Sequence, residues 1–144
     1  MSCLYLLAQV AGHPVAIESA AVESVVDLGE VTPTPLAARH VLGLATLRSR
    51  VVTVLDTAGA LAGEAGGGVP RRAIVSQIDG HHYAFAVDAL DDVAEFTPRP
   101  LAAGVTLPGE WARATRAVID RDGEAALVID LAALVPGLQQ MSSD

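Results

Sequence analysis

Short runs of apolar residues, each ended by turn-forming residues, recur along the chain. The first run, Leu4 to Val10, is followed by Gly12-His13-Pro14 and then by Val15-Ala16-Ile17. Apolar runs of this length, rich in branched residues and bounded by Gly and Pro, are typical of β-strands. The beginning of the chain is therefore predicted to form a strand, a turn and a returning strand.

A hairpin with a basic tip is predicted further along. β-rich stretches from Val41 to Leu47 and from Val51 to Leu55 flank Arg48-Ser49-Arg50, a pattern that favours two strands joined by a polar turn. Asp56 follows the second stretch. Because Asp is a preferred residue at helix N-termini, a short helix is predicted from there through Leu61.

The same order of elements returns in the second part of the chain. Gly12 to Glu18 matches Gly80 to Asp88, each a turn, an apolar strand and an acid. Val54 to Leu61 matches Val128 to Leu134, each a strand, an Asp and a short helical stretch. Such self-similarity indicates an internal repeat, although Val- and Ala-rich segments can also resemble each other by chance.

The repeat predicts a mainly β fold built from two similar units with short helices. Each half is too small to bury an adequate core alone, so two small antiparallel barrels are expected to pack side by side around a shared core. The whole chain, 1–144, is predicted to be a single domain. Its approximate halves are 12–62 and 72–135, joined by the glycine-rich connector 63–70.

Composition and charge narrow the class of protein. Half of the 144 residues are apolar but only 3% are aromatic, and the net charge is −8 with arginine as the sole basic residue type. An acidic chain with few aromatics lacks the basic surface and stacking platforms of nucleic-acid binders. The single cysteine, Cys3, and the lack of a basic leader or of an apolar run of about 18 residues predict a cytoplasmic protein that does not insert into membranes.

The string Asp56-Thr57-Ala58-Gly59 is the strongest candidate for catalytic chemistry. It resembles a metal-binding segment of small GTPases, but phosphate chemistry of that kind also needs a glycine-rich loop with a lysine, and the sequence has no lysine. An aspartate-dependent hydrolase using Asp56 and Asp130 is the remaining enzymatic alternative. Helix capping is the favoured role of both aspartates, and the chain is predicted not to be an enzyme.

Metal and cofactor sites are not predicted. The histidines are His13, His40, His81 and His82, and the adjacent pair cannot easily chelate one ion because neighbouring strand residues point to opposite faces. The acidic cluster of Asp88, Asp91 and Asp92 has no identifiable partner in the sequence and is interpreted as a solvated face.

The segment from Val41 to Asp56 resembles the most recognisable stretch of the CheW family. That family carries two apolar residues and Gly, then Asn-Leu-Arg-Gly, a Val/Ile strand with Pro, and a closing Asp. Gly43, Leu47, Arg48 and Asp56 match this pattern, whereas Thr46, Ser49 and Thr53 replace the Asn, the Gly and the Pro. The order of the other segments, from the opening strand to Asp130-Leu134, is also similar to the family.

The resemblance implies a fold and a function. It implies two five-stranded β-barrels around a shared core, and a non-catalytic adaptor that couples the cytoplasmic tips of methyl-accepting chemoreceptors to a CheA-type histidine kinase in receptor arrays. The receptor-binding positions would be Val22, Gly43, Arg48 and Val93; no kinase-binding residue is assigned. The same kind of adaptor in a pilus-motility or other non-flagellar system is the alternative.

One departure from the family concerns the receptor site. Ser24 stands where the family usually carries a Glu that can pair with the arginine matching Arg48, and the carboxylate here belongs to Glu23. A shift of one residue along a strand moves a side chain to the other face. Arg48 is therefore expected either to be freer than in the family or to pair with another acid.

Overall fold

The structure is a computed structural model that describes residues 2–33, 41–62, 72–101, 106–107 and 109–135. The described chain forms ten strands and four short helical segments. The strands are β1 Cys3–Val10, β2 His13–Glu18, β3 Ser24–Asp27, β4 Val41–Leu47, β5 Arg50–Asp56, β6 Arg72–Ile78, β7 His81–Val87, β8 Ala89–Phe96, β9 Thr115–Arg121 and β10 Glu124–Ile129. The α-helices are α1 Thr57–Ala62 and α2 Gly109–Ala114, and the 3-10 turns are Ser19–Ala21 and Leu131–Leu134.

The strands form two five-stranded sheets that share one topology. Sheet A has the order β8-β1-β2-β10-β9 and sheet B the order β3-β6-β7-β5-β4. Replacing β1 to β5 by β6 to β10, and the reverse, converts one order into the other. Each sheet therefore contains strands from both parts of the chain, so neither sheet belongs to one half alone.

The mainly β fold with two five-stranded units is confirmed, with two differences in detail. The pairings leave β8 and β9 as edges of sheet A and β3 and β4 as edges of sheet B, so neither sheet closes into a barrel. The expectation of purely antiparallel units was wrong for one pairing in each sheet, because β2 with β10 and β5 with β7 are parallel. In both cases the two strands come from different parts of the chain, and this crossover allows the parallel pairing.

A shared core lies between the two sheets. Leu6 and Ile17 of sheet A and Leu55, Ile74 and Phe85 of sheet B belong to one cluster of buried side chains, each at most 7% exposed. Full burial of a side chain of this size contributes about 1.5–3 kcal/mol. The shared core therefore joins the two sheets into one unit.

Each sheet also encloses a smaller core on its other face. In sheet A this core includes Tyr5, Leu7 and Ile119, and burial raises the pKa of the Tyr5 phenol above its ordinary value. In sheet B the equivalent core includes Val52 and Val75. Because the central strands are covered on both faces, they read in the sequence as continuous apolar runs rather than as alternating patterns.

Helix α2 was not predicted from the sequence. It begins at Gly109 within a proline-interrupted region, and its only buried residues are Trp111 and Ala114. These two positions, one helical turn apart, add to the shared core. The predicted hairpin with the tip at Arg48 and the short helix after Asp56 are confirmed, and the short helix predicted after Asp130 is a 3-10 turn. The predicted connector 63–70 and His40 lie outside the described residues.

Candidate functional site

A shallow cavity lies at one end of sheet B, beside the tip of the β4–β5 hairpin. Its volume is about 430 Å³. We call it the Arg48 cavity; its lining includes Glu23, Ser24, Leu47, Arg48, Arg50, Val52, Val75 and His82. The apolar residues among them continue into the small core of sheet B, whereas the charged residues form the rim.

The tip itself is a two-residue turn. Arg48 and Ser49 have φ values of 51° and 67°, the positive values that a type I′ hairpin turn requires at both of its central positions. Leu47 and Arg50 face each other across the turn as the last residue pair of the hairpin. This geometry holds the exposed Arg48 side chain at the rim of the cavity.

Glu23, Arg50 and His82 form a charged cluster on the same rim. A Glu23 carboxylate oxygen lies 3.2 Å from His82 Nε2 and another lies 3.6 Å from Arg50 Nη1. Arg50 Nη1 is 2.5 Å from His82 Nε2; this nitrogen accepts from the guanidinium when it is unprotonated and donates to Glu23 when it carries a proton, so it makes one of these two hydrogen bonds at a time. The cluster therefore engages the carboxylate that the sequence places one residue before Ser24.

Arg48 stays outside this cluster. Among the described residues, no hydrogen bond or ion pair joins its guanidinium to another side chain. The carboxylate of Glu23 contacts Arg50 and His82 instead. Sequence reasoning missed both residues: His82 is separated from Glu23 by 59 positions, and only the strand register brings them together.

Gly43 marks a close approach of two backbone segments. It lies at an irregularity in the β4–β5 pairing, has a φ of 147° and faces Thr32. The Thr32 and Leu44 backbones exchange two hydrogen bonds of 2.8 and 2.9 Å. A Cβ at Gly43 would lie 2.1 Å from the Thr32 carbonyl oxygen, so only glycine fits here.

Val22 and Val93 occupy two further surfaces. Val22 packs against the shared core and lines a separate cavity of about 360 Å³ with Ile78 and Leu131. Val93 is 49% exposed on the edge strand β8, opposite Leu6. The structure thus places Gly43 and Arg48 on the β4–β5 hairpin, Val93 on β8 and Val22 in the connection before β3, and none of the cavities described here is lined by more than one of them.

Asp56 and Asp130 have equivalent structural roles. Asp56 Oδ1 accepts a hydrogen bond from the Gly59 amide at 3.0 Å, and Asp130 Oδ1 accepts one from the Ala132 amide at 3.1 Å. Asp130 also pairs with Arg116 at 2.9 Å. Both carboxylates therefore cap the helical segments that follow them, which confirms the predicted role.

The described residues include neither a metal-binding cluster nor a membrane-spanning helix. His13 packs edge-on against Trp111, with ring centroids 5.4 Å apart. In the described part of the chain, no three His, Cys, Asp or Glu side chains are grouped closely enough to hold a metal ion. No helix in that part is long and apolar enough to span a bilayer.

Open sheets with rim cavities and exposed apolar strand residues such as Val93 are compatible with the class of protein-binding modules. The family is shown by comparison with family models: the model of the CheW-like domain matches residues 4–139, and the chain belongs to this family. Members of the family are scaffolding and adaptor proteins of chemotaxis and not enzymes, which confirms the non-catalytic interpretation.

A solved structure shows the same fold. The crystal structure of the scaffolding protein TtCheW from Thermoanaerobacter tengcongensis matches with a TM-score of 0.80 and 21% sequence identity. The match covers 95% of this chain and 96% of that chain. Comparison with curated proteins gave no significant match.

Proposed function

We propose that the chain is a cytoplasmic coupling adaptor that links the cytoplasmic tips of chemoreceptors to a CheA-type histidine kinase. Its membership of the CheW-like family supports a scaffolding role in chemotaxis. Receptor tips are helical hairpins, and a helix can be bound by apolar side chains together with a guanidinium at the rim of a groove.

The exposed guanidinium of Arg48 is the observation that carries this proposal. Within the described residues it has no ion-pair partner, and it lies on the rim of a cavity with an apolar floor. An arginine held by its turn and left without an internal acid is available to a partner's carboxylates or carbonyl groups. Glu23 contacts Arg50 and His82 and not Arg48, which leaves the Arg48 guanidinium available to a partner.

The other three positions contribute in different ways. Val93, 49% exposed on an edge strand, supplies an apolar contact, and Val22 supplies a partly buried one. Gly43 acts indirectly, since the lack of a side chain lets Thr32 approach β4 and fixes the path of the hairpin. Its substitution is expected to disturb the fold as well as binding.

Binding of receptor tips tests the proposal. Arg48→Ala is expected to weaken the affinity of the purified chain for a receptor cytoplasmic fragment about tenfold, a typical loss when a central interface arginine is truncated. Val93→Ala should weaken it several-fold. Both variants should still bind the kinase, and titration calorimetry or co-sedimentation with receptor and kinase measures each affinity.

Arg99→Ala is the matched control, because Arg99 is also exposed and its described contacts to Val118 use only the backbone. It should bind receptor like the unmodified chain. Equal losses in Arg48→Ala and Arg99→Ala, or a lack of binding of the unmodified chain to both partners, would contradict the proposal.

A further inference from the structure

Nε2 of His82 is shared by two groups that require opposite protonation states of this nitrogen. Arg50 Nη1 lies 2.5 Å from it, and the two carboxylate oxygens of Glu23 lie 3.2 and 3.3 Å from it. A guanidinium only donates and needs an unprotonated nitrogen, whereas a carboxylate only accepts and needs a protonated one. A single proton therefore decides which of the two groups His82 binds.

The three side chains of this cluster differ in their freedom to move. The His82 side chain is only 16% exposed, whereas those of Glu23 and Arg50 are 43% and 55% exposed. The contact between Arg50 and Glu23 is the longest in the cluster, at 3.6 Å. Arg50 is therefore the member that is held least firmly once His82 no longer accepts its hydrogen bond.

The charges around His82 balance as long as its ring is neutral. Four other charged side chains line the Arg48 cavity, namely Glu23, Asp27, Arg48 and Arg50. Asp27 is paired with Arg72 at 3.2 Å, and the residue opposite His82 on β6 is the uncharged Gln77. Since the two acids and two arginines of the lining cancel, a proton on His82 makes the lining positive overall.

A cavity of about 300 Å³ on sheet A holds its acid without a histidine. Its lining includes Asp91, which accepts a hydrogen bond from Gln9 at 2.9 Å and lies 3.7 Å from Arg121. Pro14 of this cavity occupies the strand position of His82, because each is paired with a glutamine of the neighbouring strand. The titratable contact is therefore a feature of the Arg48 cavity and not of the sheet architecture.

We propose that His82 makes the Arg48 cavity sensitive to pH. Protonation turns Nε2 into a donor to Glu23, and the charged ring repels the Arg50 guanidinium. Arg50, two residues beyond Arg48 at the tip of the hairpin, then extends to the rim as a second guanidinium open to a partner. Because histidine ordinarily changes charge between about pH 5 and 8, the release occurs as the pH falls through this range.

The rim then binds an acidic partner more tightly at lower pH. A second exposed guanidinium adds one ion pair, and carboxylates at the rim in turn favour the charged form of the ring. The identity of this partner as a receptor tip rests on the proposed function. The exchange of contacts within the chain does not.

Nuclear magnetic resonance of the nitrogen-labelled chain, without receptor or kinase, tests the exchange of contacts. As the pH is lowered from about 8 to about 5.5, the ring nitrogens of His82 should titrate. The Nε–H signal of Arg50 should change with the same midpoint. In His82→Gln, which keeps an acceptor and a donor but has no charge to gain, the Arg50 signal should stay constant.

His81→Gln is the matched control, because His81 is exposed and adjacent residues of a strand point to opposite faces. In this variant the His82 titration and the Arg50 response should both persist. Circular dichroism verifies that the variants fold, and His82→Asn replaces His82→Gln if that variant does not.

Titration calorimetry with a receptor cytoplasmic fragment measures the consequence for binding. The unmodified chain and His81→Gln should bind about threefold more tightly at about pH 6 than at about pH 8, a typical contribution of one exposed ion pair. His82→Gln and Arg50→Gln should lose this difference.

An Arg50 signal that stays constant while His82 titrates, or that changes equally in His82→Gln, would overturn the inference. The same pH dependence of receptor affinity with and without His82 would overturn it as well. A chain that binds the receptor fragment at neither pH would contradict the coupling function alone, since the resonance measurement then decides the exchange of contacts by itself.

Discussion

Two-residue turns place several side chains at positive φ, where only glycine is free of strain. Three of these turns end in glycine, at Gly12, Gly80 and Gly123. The fourth ends in Ser49, which has a φ of 67°. For a residue with a Cβ, left-handed backbone costs roughly 1–2 kcal/mol, so the Arg48-Ser49 turn carries this cost at both of its central positions, whereas each of the other three turns carries it at one.

Ser49→Gly is therefore expected to stabilise the chain. The gain from removing the left-handed strain exceeds the added chain entropy of glycine in the unfolded state, which leaves about 0.5–1 kcal/mol. Urea unfolding followed by circular dichroism measures the change in the free energy of unfolding.

Ser24→Gly provides the control, since Ser24 lies within β3 and its φ is not positive. That change should lower the free energy of unfolding by about 0.5–1 kcal/mol. A Ser49→Gly variant no more stable than Ser24→Gly would show that the turn is not strained.

Individual residues also show what the sequence could and could not predict. Capping by Asp56 and Asp130 depends on neighbouring residues, so local pattern was sufficient to predict it. The cluster of Glu23, Arg50 and His82 depends on the register of β5 and β7, which belong to different parts of the chain. Local pattern carries no information about such a register.

At the scale of elements, two buried threonine hydroxyls lie at positions that have an equivalent in the other half of the molecule. Thr115 pairs with Ile129 as Val41 pairs with Leu55, and Thr57 follows Asp56 as Leu131 follows Asp130. The Thr57 and Thr115 hydroxyls are buried without a hydrogen-bond partner among the described residues. The other half carries an apolar residue at each of these positions.

Thr115→Val should raise the free energy of unfolding. It removes a buried hydroxyl that has no partner and keeps the shape of the side chain, a change worth about 1 kcal/mol when no hydrogen bond is lost. Thermal or urea unfolding measures the difference.

Thr46→Val is the control on β4, where the side chain is exposed. It should alter stability by less than about 0.5 kcal/mol. A loss of stability in Thr115→Val would mean that the hydroxyl makes a hydrogen bond that the structure does not show.

Helix α2 shows why some elements are decided by packing. Six residues beginning with glycine are too short to be stable alone, and only two of them are buried. Trp111 and Ala114 reach the shared core, so the helix forms because the rest of the molecule is already in place. Strands covered on both faces, such as β7, could be predicted because most of their length is apolar, as from Tyr83 to Val87.

For the whole molecule, the shared core determines how the chain unfolds. It includes residues from both sheets, α1 and α2, and each sheet takes strands from both parts of the chain. We therefore propose that the chain is one cooperative domain, although its strands divide into two sheets.

Unfolding in urea should show a single transition. The fluorescence of Trp111, the only tryptophan, and the circular dichroism of the strands should change at the same urea concentration. Leu6→Ala in sheet A and Phe85→Ala in sheet B should each shift both signals together, by about 2–5 kcal/mol.

Val51→Ala, at a side chain that is 62% exposed, should leave the transition nearly unchanged. Two separate transitions, or a Leu6→Ala variant that shifts only one of the two signals, would show that the sheets unfold independently.

The exchange of strands between the sheets also relates the molecule to a symmetric dimer. Two identical five-stranded chains that exchanged strands in this way would form a symmetric homodimer with the same sheet order twice, and both of its tips would carry the same charge. A single chain is free of this constraint: the tip of the β4–β5 hairpin is Arg48-Ser49-Arg50, whereas the tip of the β9–β10 hairpin is Asp122-Gly123-Glu124.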